Sequence, residues 1–225
     1  MNYVQLEYTD LALASLLVLA NAGLSLVLNL GLARRMLLAT LRMVVQLSLV
    51  GLVLKSLFAV ASPWLTGLVA VTMILFAGRE IMARQERRFD GLWSYSLGTG
   101  SMLFAASLVT IFALTGPVRP DPWFDPRYAL PLLGMILGNT MTGISLGLHT
   151  LTTGLVRDRA GVEAQLALGH SRNEAFRPIV QAALTSALMP IVNSMAATGL
   201  VSLPGMMTGQ ILAGVDPAEA VKYQI

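Results

Sequence analysis

The chain has 225 residues, of which 55% are hydrophobic and only 12% charged, and its mean hydropathy is +0.69. Soluble globular domains carry about 25% charged residues, so this composition points to lipid as the main solvent. With no cysteine, disulfides, thiolate metal sites and cysteine nucleophiles are excluded. Two histidines, His149 and His170, make a multi-histidine metal cage within one chain a poor expectation. The net charge of +3 does not call for nucleic acid, because Lys and Arg of a membrane protein collect on its cytoplasmic side.

A membrane core about 30 Å thick needs about 20 mostly apolar residues per helix. Six segments meet that requirement, at 11–32, 37–57, 64–81, 93–114, 128–148 and 179–200. The expected fold is an all-α polytopic transmembrane bundle, forming a single domain over 1–225. The first residues hold Glu7 and Asp10 and no basic stretch, so they do not read as a secretory signal peptide.

Charge sets the expected orientation. The first connection region holds Arg34, Arg35 and Arg42, and the third holds Arg79, Arg84, Arg87 and Arg88. The fifth holds Arg157, Arg159, Arg172 and Arg177, which brings these regions to eleven of the fifteen basic residues. The second and fourth connections hold only Lys55, Arg119 and Arg127. The positive-inside rule then puts the odd connections in the cytoplasm and the N-terminus outside. The proline-rich stretch 116–127 becomes an outer loop, with Trp123 and Tyr128 suited to the interface.

At the far end, Asp216-Pro217-Ala218-Glu219 has the spacing of a helix start, with Asp as N-cap and Pro at the first helical position. Ile225 follows about two turns later. A truncated seventh span is the expectation, against the simpler reading of a short surface helix.

The polar stretch 162–180 interrupts this apolar chain. Val162, Leu166 and Ala167 fall on one helical face, with Glu163 off it. Gly169 is placed to end that helix in the left-handed conformation. Ser171-Arg172-Asn173-Glu174 has capping-box spacing for a new start. Phe176 and Ile179 resume an apolar face, and Pro178 is expected to kink the approach to the sixth span. A bent helical pair on the cytoplasmic face suits transmission of force from a soluble partner. The plainer reading is an interfacial amphipathic helix with no partner.

Glu163-Ala164, Gly169 and Ile179 together resemble the EAA motif of ABC transporter permeases, although Val180-Gln181 stands where Leu-Pro is usual. The stretch from Thr198-Gly199-Leu200-Val201-Ser202-Leu203-Pro204-Gly205 through Met206-Met207-Thr208-Gly209-Gln210 to Gly214 resembles the signature of FetB-type iron-export ABC permeases, related to plant aluminium-tolerance half transporters. Leu41-Arg42-Met43-Val44-Val45-Gln46-Leu47 and Gly138-Asn139-Thr140-Met141-Thr142-Gly143 are similar to further blocks of that family. The resemblance implies a coupling helix near 161–176 that docks on a separate FetA-type ATP-binding subunit. It implies a permease homodimer in the bacterial inner membrane, a metal-ion substrate, and ATP with Mg bound by the partner and no cofactor in this chain. Glu163, Ala164, Leu166, Gly169, His170 and Phe176 are the expected coupling residues.

Candidate pathway residues lie within the spans. Arg42 and Gln46 stand one turn apart in the second span, and an intramembrane ionisable residue is a functional hypothesis by default. Arg42 equally suits a snorkelling role at the interface. Asn139, Thr140, Asn193 and Thr198 offer oxygens suited to hard cations, or helix-packing contacts. Met206 and Met207 offer thioethers for soft metals, or ordinary apolar packing, after Leu203-Pro204-Gly205 breaks the chain into a re-entrant or interfacial segment.

No Gly-x4-Gly-Lys-Ser/Thr pattern occurs, so energy comes from a partner or the protein is not ATP-driven. A transport subunit without chemistry of its own is the leading expectation, exporting metal ions, iron by resemblance. The alternative is an ATP-independent, ion-coupled secondary transporter or channel, which would favour inverted repeats or midspan carboxylates. A membrane enzyme lacks a Ser/His/Asp set.

Overall fold

The computed structural model describes residues 7–60, 62–85 and 92–224. Their helices in chain order are α1 (Tyr8–Val27), α2 (Ala33–Val60), α3 (Pro63–Arg84), α4 (Leu92–Ala113), α5 (Pro126–Arg157), α6 (Arg159–Ala167), α7 (Arg172–Ala197), α8 (Gly205–Leu212) and α9 (Pro217–Gln224). A π-helical turn, Leu114–Val118, extends α4. Helices α1 to α5 and α7 are long and apolar enough to cross a membrane. The fold is an all-α polytopic bundle.

Helix α5 is the hub. It packs on α3, α4 and α7, while α1 pairs mainly with α2. The main core joins Ile74 and Ile81 of α3, Met102 and Ala106 of α4, and Leu133 and Leu137 of α5. Much of the remaining apolar surface faces outward, as on α2, where only Ala33 and Leu57 are buried. That inversion costs nothing in hydrocarbon, where the helix backbone satisfies its own hydrogen bonds.

The ends of two spans differ from the sequence expectation. Helix α5 continues nine residues past 148 to Arg157, through His149, Thr150, Thr152 and Thr153. These polar residues do not end the helix. The Thr152 hydroxyl donates to the Leu148 carbonyl at 2.9 Å, so its hydrogen is satisfied inside the helix. At 1.5 Å per residue the 32 residues of α5 run about 48 Å, well beyond a core about 30 Å thick. Helix α7 begins at Arg172, where the Ser171–Glu174 cap places it, ahead of the apolar stretch from 179, and continues through Pro178 and Pro190 as one element. It ends at Ala197, where the chain folds back through Gly199 (φ +86°), whose amide donates to the Ser202 carbonyl at 2.9 Å.

Arg87 and Arg88, which the sequence places in the third connection, lie outside the described residues. At the other predicted helix start, the Asp216 carboxylate accepts from the Ala218 amide at 2.8 Å and opens α9. There Glu219 pairs with Lys222 at 2.6 Å.

Candidate transport groove and docking helix

Helices α5 and α7 run antiparallel, and small residues let them meet. A Cβ built on Gly154 would stand 2.8 Å from Ile179 Cγ2. One on Gly147 would stand 3.0 Å from the Ala187 Cβ, and one on Gly143 would stand 2.9 Å from the Ala187 carbonyl oxygen. These three glycines form a seam along α5 facing Ile179, Ala183 and Ala187 of α7. Close backbone approach of this kind is how helices associate where lipid supplies no hydrophobic drive.

The seam ends at Gly143. A Cβ on Gly138 would meet nothing within 4 Å. Here the two helices enclose a cleft of about 390 Å³, lined by Asn139, Thr140 and Thr142 of α5 and by Pro190, Ile191 and Ser194 of α7 among others. A second cleft of about 500 Å³ shares Asn139 and Ser194 with the first. It continues to Thr198, Ser202, Met206 and Gln224. Together they make one groove, apolar along Ile144, Ala187, Leu188 and Ile191 and more polar toward Thr198 and Ser202, at the end of the glycine seam away from α6. Pro190 has no amide hydrogen, so the Ser186 carbonyl lacks its helical donor beside this groove.

Helix α6 sits at the seam's other end. Val162 is buried against Ala175 and Ile179 of α7, with Leu151 and Leu155 of α5 and Phe176 packed on the same cluster. The rest of α6 faces outward, including Leu166 and Ala167 of the predicted apolar face. Leu168, just beyond it, is 79% exposed. Glu163 accepts from Arg159 Nε at 2.7 Å, and this bond and the carboxylate's charge hold the Arg159 guanidinium above its usual range. Gly169 has φ +91°, which reverses the chain and is strained for any residue with a Cβ. His170 and Ala164 are exposed. The capping box is present in both directions: Ser171 Oγ accepts from the Glu174 amide at 3.4 Å, and Glu174 Oε2 accepts from the Ser171 amide at 2.8 Å.

The groove gathers Asn139, Thr140, Thr198 and Met206 from the residues singled out in the sequence. Met206 also packs against Leu114, Ala129 and Leu132, so it has a packing role as well. Asn193 and Met207 are not among the groove's lining residues. Gln46 is exposed on α2, and Arg42 donates to Glu80 Oε2 of α3 at 2.9 Å. Glu80 does not stand out in the sequence, where carboxylates lie mainly in connections and termini. It lies inside α3, 38 residues from its partner, and no local pattern signals such a pair. Ser202 and Gln224 complete the groove, and only the fold-back after α7 brings them to it. Among the described residues no group of three or more His, Asp or Glu stands ready to hold a metal ion.

Among the described residues, six candidate spans form a membrane bundle with a groove at one end of its α5–α7 pair and the exposed short helix α6 at the other. The chain belongs to the family described as "Uncharacterised protein family (UPF0014)", which it matches over residues 8–225. It is 32% identical over 227 residues to the protein named "Probable iron export permease protein FetB" of Escherichia coli, covering 100% of this chain and 85% of that one. It is 36% identical over 228 residues to the "UPF0014 membrane protein slr1647" of Synechocystis, covering 99% and 85%. A plant relative is the Arabidopsis thaliana "Protein ALUMINUM SENSITIVE 3", 34% identical over 214 residues and covering 95% and 76%. No solved structure matches the chain.

Proposed function

We propose that this permease is the membrane subunit of an ATP-driven metal-ion exporter, coupled to a separate ATP-binding subunit of the FetA type. The observation that carries the reading is the position of α6. Its one buried residue, Val162, packs on the same two helices whose far ends form the groove. A push on α6 therefore acts on the α5–α7 seam directly. The seam brings the α7 backbone against Gly143 and Gly147 and the Ile179 side chain against Gly154, so a shift of α6 is passed to both helices through close contacts.

In this reading ATP and Mg bind the partner, whose closure moves α6 and tilts α5 against α7. The groove changes its exposure from one side of the membrane to the other. The basic residues around α6 support a cytoplasmic position for that end, with the groove toward the outside and the N-terminus outside, in what this reading takes as a bacterial inner membrane. A homodimer would supply two docking helices for two ATPases. Iron as cargo and export as direction come from the FetB relative's name.

The test is co-purification of the full-length protein with candidate ATP-binding subunits, followed by ATPase assays in liposomes. Iron(II)-dependent stimulation in the complex is expected. A permease that never binds an ATPase, yet moves ions alone, would instead be an ion-coupled transporter or channel.

A further inference from the structure

A further cavity lies on another face of α5. It is a slot of about 370 Å³ between α3, α4 and α5, and it begins at the Trp123–Phe124 end of the bundle. Its α3 lining recurs at i, i+3, i+4, i+7, i+8 and i+11 from Pro63 to Ile74, which is one helix face. Its α4 lining runs from Leu103 to Leu114. Leu130 and Leu133 of α5 also line it, while Pro131 and Met135 line the groove. Slot and groove therefore share one stretch of α5.

The slot is apolar. Thr66 Oγ1 donates to the Ser62 carbonyl at 3.0 Å, and Thr110 Oγ1 is itself buried, so neither threonine offers the slot a hydroxyl. An ordered water needs about two to four polar partners, which this lining does not supply. The floor is closed by protein and the rim is open. Ile74, Thr110, Leu114 and Leu133 are buried, whereas Val71, Leu103, Ile111 and Trp123 are exposed. The opening is sideways, so hydrocarbon is the solvent that reaches it.

Length selects the occupant. Pro63 to Ile74 on α3 and Leu103 to Leu114 on α4 each rise about 16 Å, against about 15 Å for one leaflet of a core about 30 Å thick. Trp123 and Phe124, edge to face with ring centroids 6.1 Å apart, stand at the mouth, where aromatic rings suit the headgroup level. Arg119 and Arg127 of this stretch are balanced by Asp121 and Asp125, so nothing there selects a headgroup by net charge.

We propose that the slot holds one acyl chain of a phospholipid from the leaflet on the Trp123 side. The claim is independent of ATPase coupling; only the name of that leaflet, the outer one, comes from the orientation given above. With the chain seated, α5 cannot shift toward α3 and α4 without displacing it, and the groove wall is backed by lipid.

The test is native mass spectrometry of the full-length protein released from nanodiscs of phosphatidylethanolamine and phosphatidylglycerol. One retained phospholipid per chain is expected, with either headgroup. A Cβ on Gly67 would meet nothing within 4 Å, so Gly67→Leu fills the slot without a backbone clash and should abolish retention. Ser107→Leu fills it from α4 and should do the same, which carries the test where Gly67→Leu does not fold. Gly51→Leu, an equally open position on α2 outside the slot, should keep the lipid. If both slot variants fold and hold as much phospholipid as the unaltered chain, the inference falls. Retention of one headgroup alone, or of a free fatty acid in place of phospholipid, would also overturn it.

Discussion

Ile179 and Gly154 occupy one space between α7 and α5: the Ile179 Cγ2 sits 2.8 Å from where a Cβ on residue 154 would be. Both are buried, and Ile179 also closes over Val162 of α6. Gly154→Ala should cost about 1–3 kcal/mol by overpacking. Ile179→Ala removes the clashing methyl, so the double variant should cost less than the sum of the single ones. A double-mutant cycle on thermal unfolding in detergent reads this coupling, expected at about 0.5–3 kcal/mol. Strict additivity would mean that the helices do not meet here.

Val162 separates anchoring from docking. Val162→Ala should cost about 1.6 kcal/mol, for two buried carbon groups at about 0.8 kcal/mol each. Val162→Asp buries a charge against Ala175 and Ile179 and should free α6 from the seam. The permease should still insert and still hold its groove, while ATP hydrolysis no longer responds to cargo. Leu168→Asp changes an exposed position, so it should leave stability within about 0.5 kcal/mol and weaken partner binding. Melting curves and pull-downs on the two variants distinguish the roles.

The Arg42–Glu80 pair ties α2 to α3 at 2.9 Å. In water a partly exposed pair is worth about 0–1 kcal/mol. Near the membrane boundary, removing one partner leaves a charge with less water around it, so Arg42→Leu and Glu80→Leu should each destabilise by more than that. The exchanged pair, Arg42→Glu with Glu80→Arg, should recover most of the loss in thermal stability. No recovery would show that the charges do not act on each other.

The Ser171 cap is a local device with a local readout. Ser171→Ala should cost about 1 kcal/mol, since Ser171 Oγ accepts from the Glu174 amide. Hydrogen exchange should quicken at 172–174 and stay unchanged in the middle of α7.

Features set by neighbours along the chain are legible in the sequence. The Ser171–Glu174 capping box, the Gly169 reversal and the Asp216 cap all form where their residue spacing places them. The spans are legible because lipid selects composition directly. Their ends are less so. His149 and its neighbouring threonines resemble a helix end, but threonine hydroxyls bond back to the helix and let α5 continue. Pro178, expected to kink the approach to the sixth span, lies inside the continuous helix α7. The groove is legible in part. Asn139, Thr140 and Thr198 stand out as polar residues in apolar spans, but Gln224 joins them only through the fold-back at Gly199 and the placement of α8 and α9. Non-local pairing hides Glu80 in the same way.

The central claim is that α6 receives the ATPase and acts on the α5–α7 pair, and one cross-linking measurement tests it directly. The chain has no cysteine, so a single introduced thiol reports one place. Leu168→Cys, 79% exposed beside α6, is compared with Trp64→Cys, 88% exposed at the start of α3. In the membrane-embedded complex, Leu168→Cys should cross-link to the ATP-binding subunit, with a yield that changes between the ATP-bound and nucleotide-free states, and Trp64→Cys should not. An ATP-hydrolysing complex that cross-links at neither position, or at Trp64→Cys alone, would contradict the account.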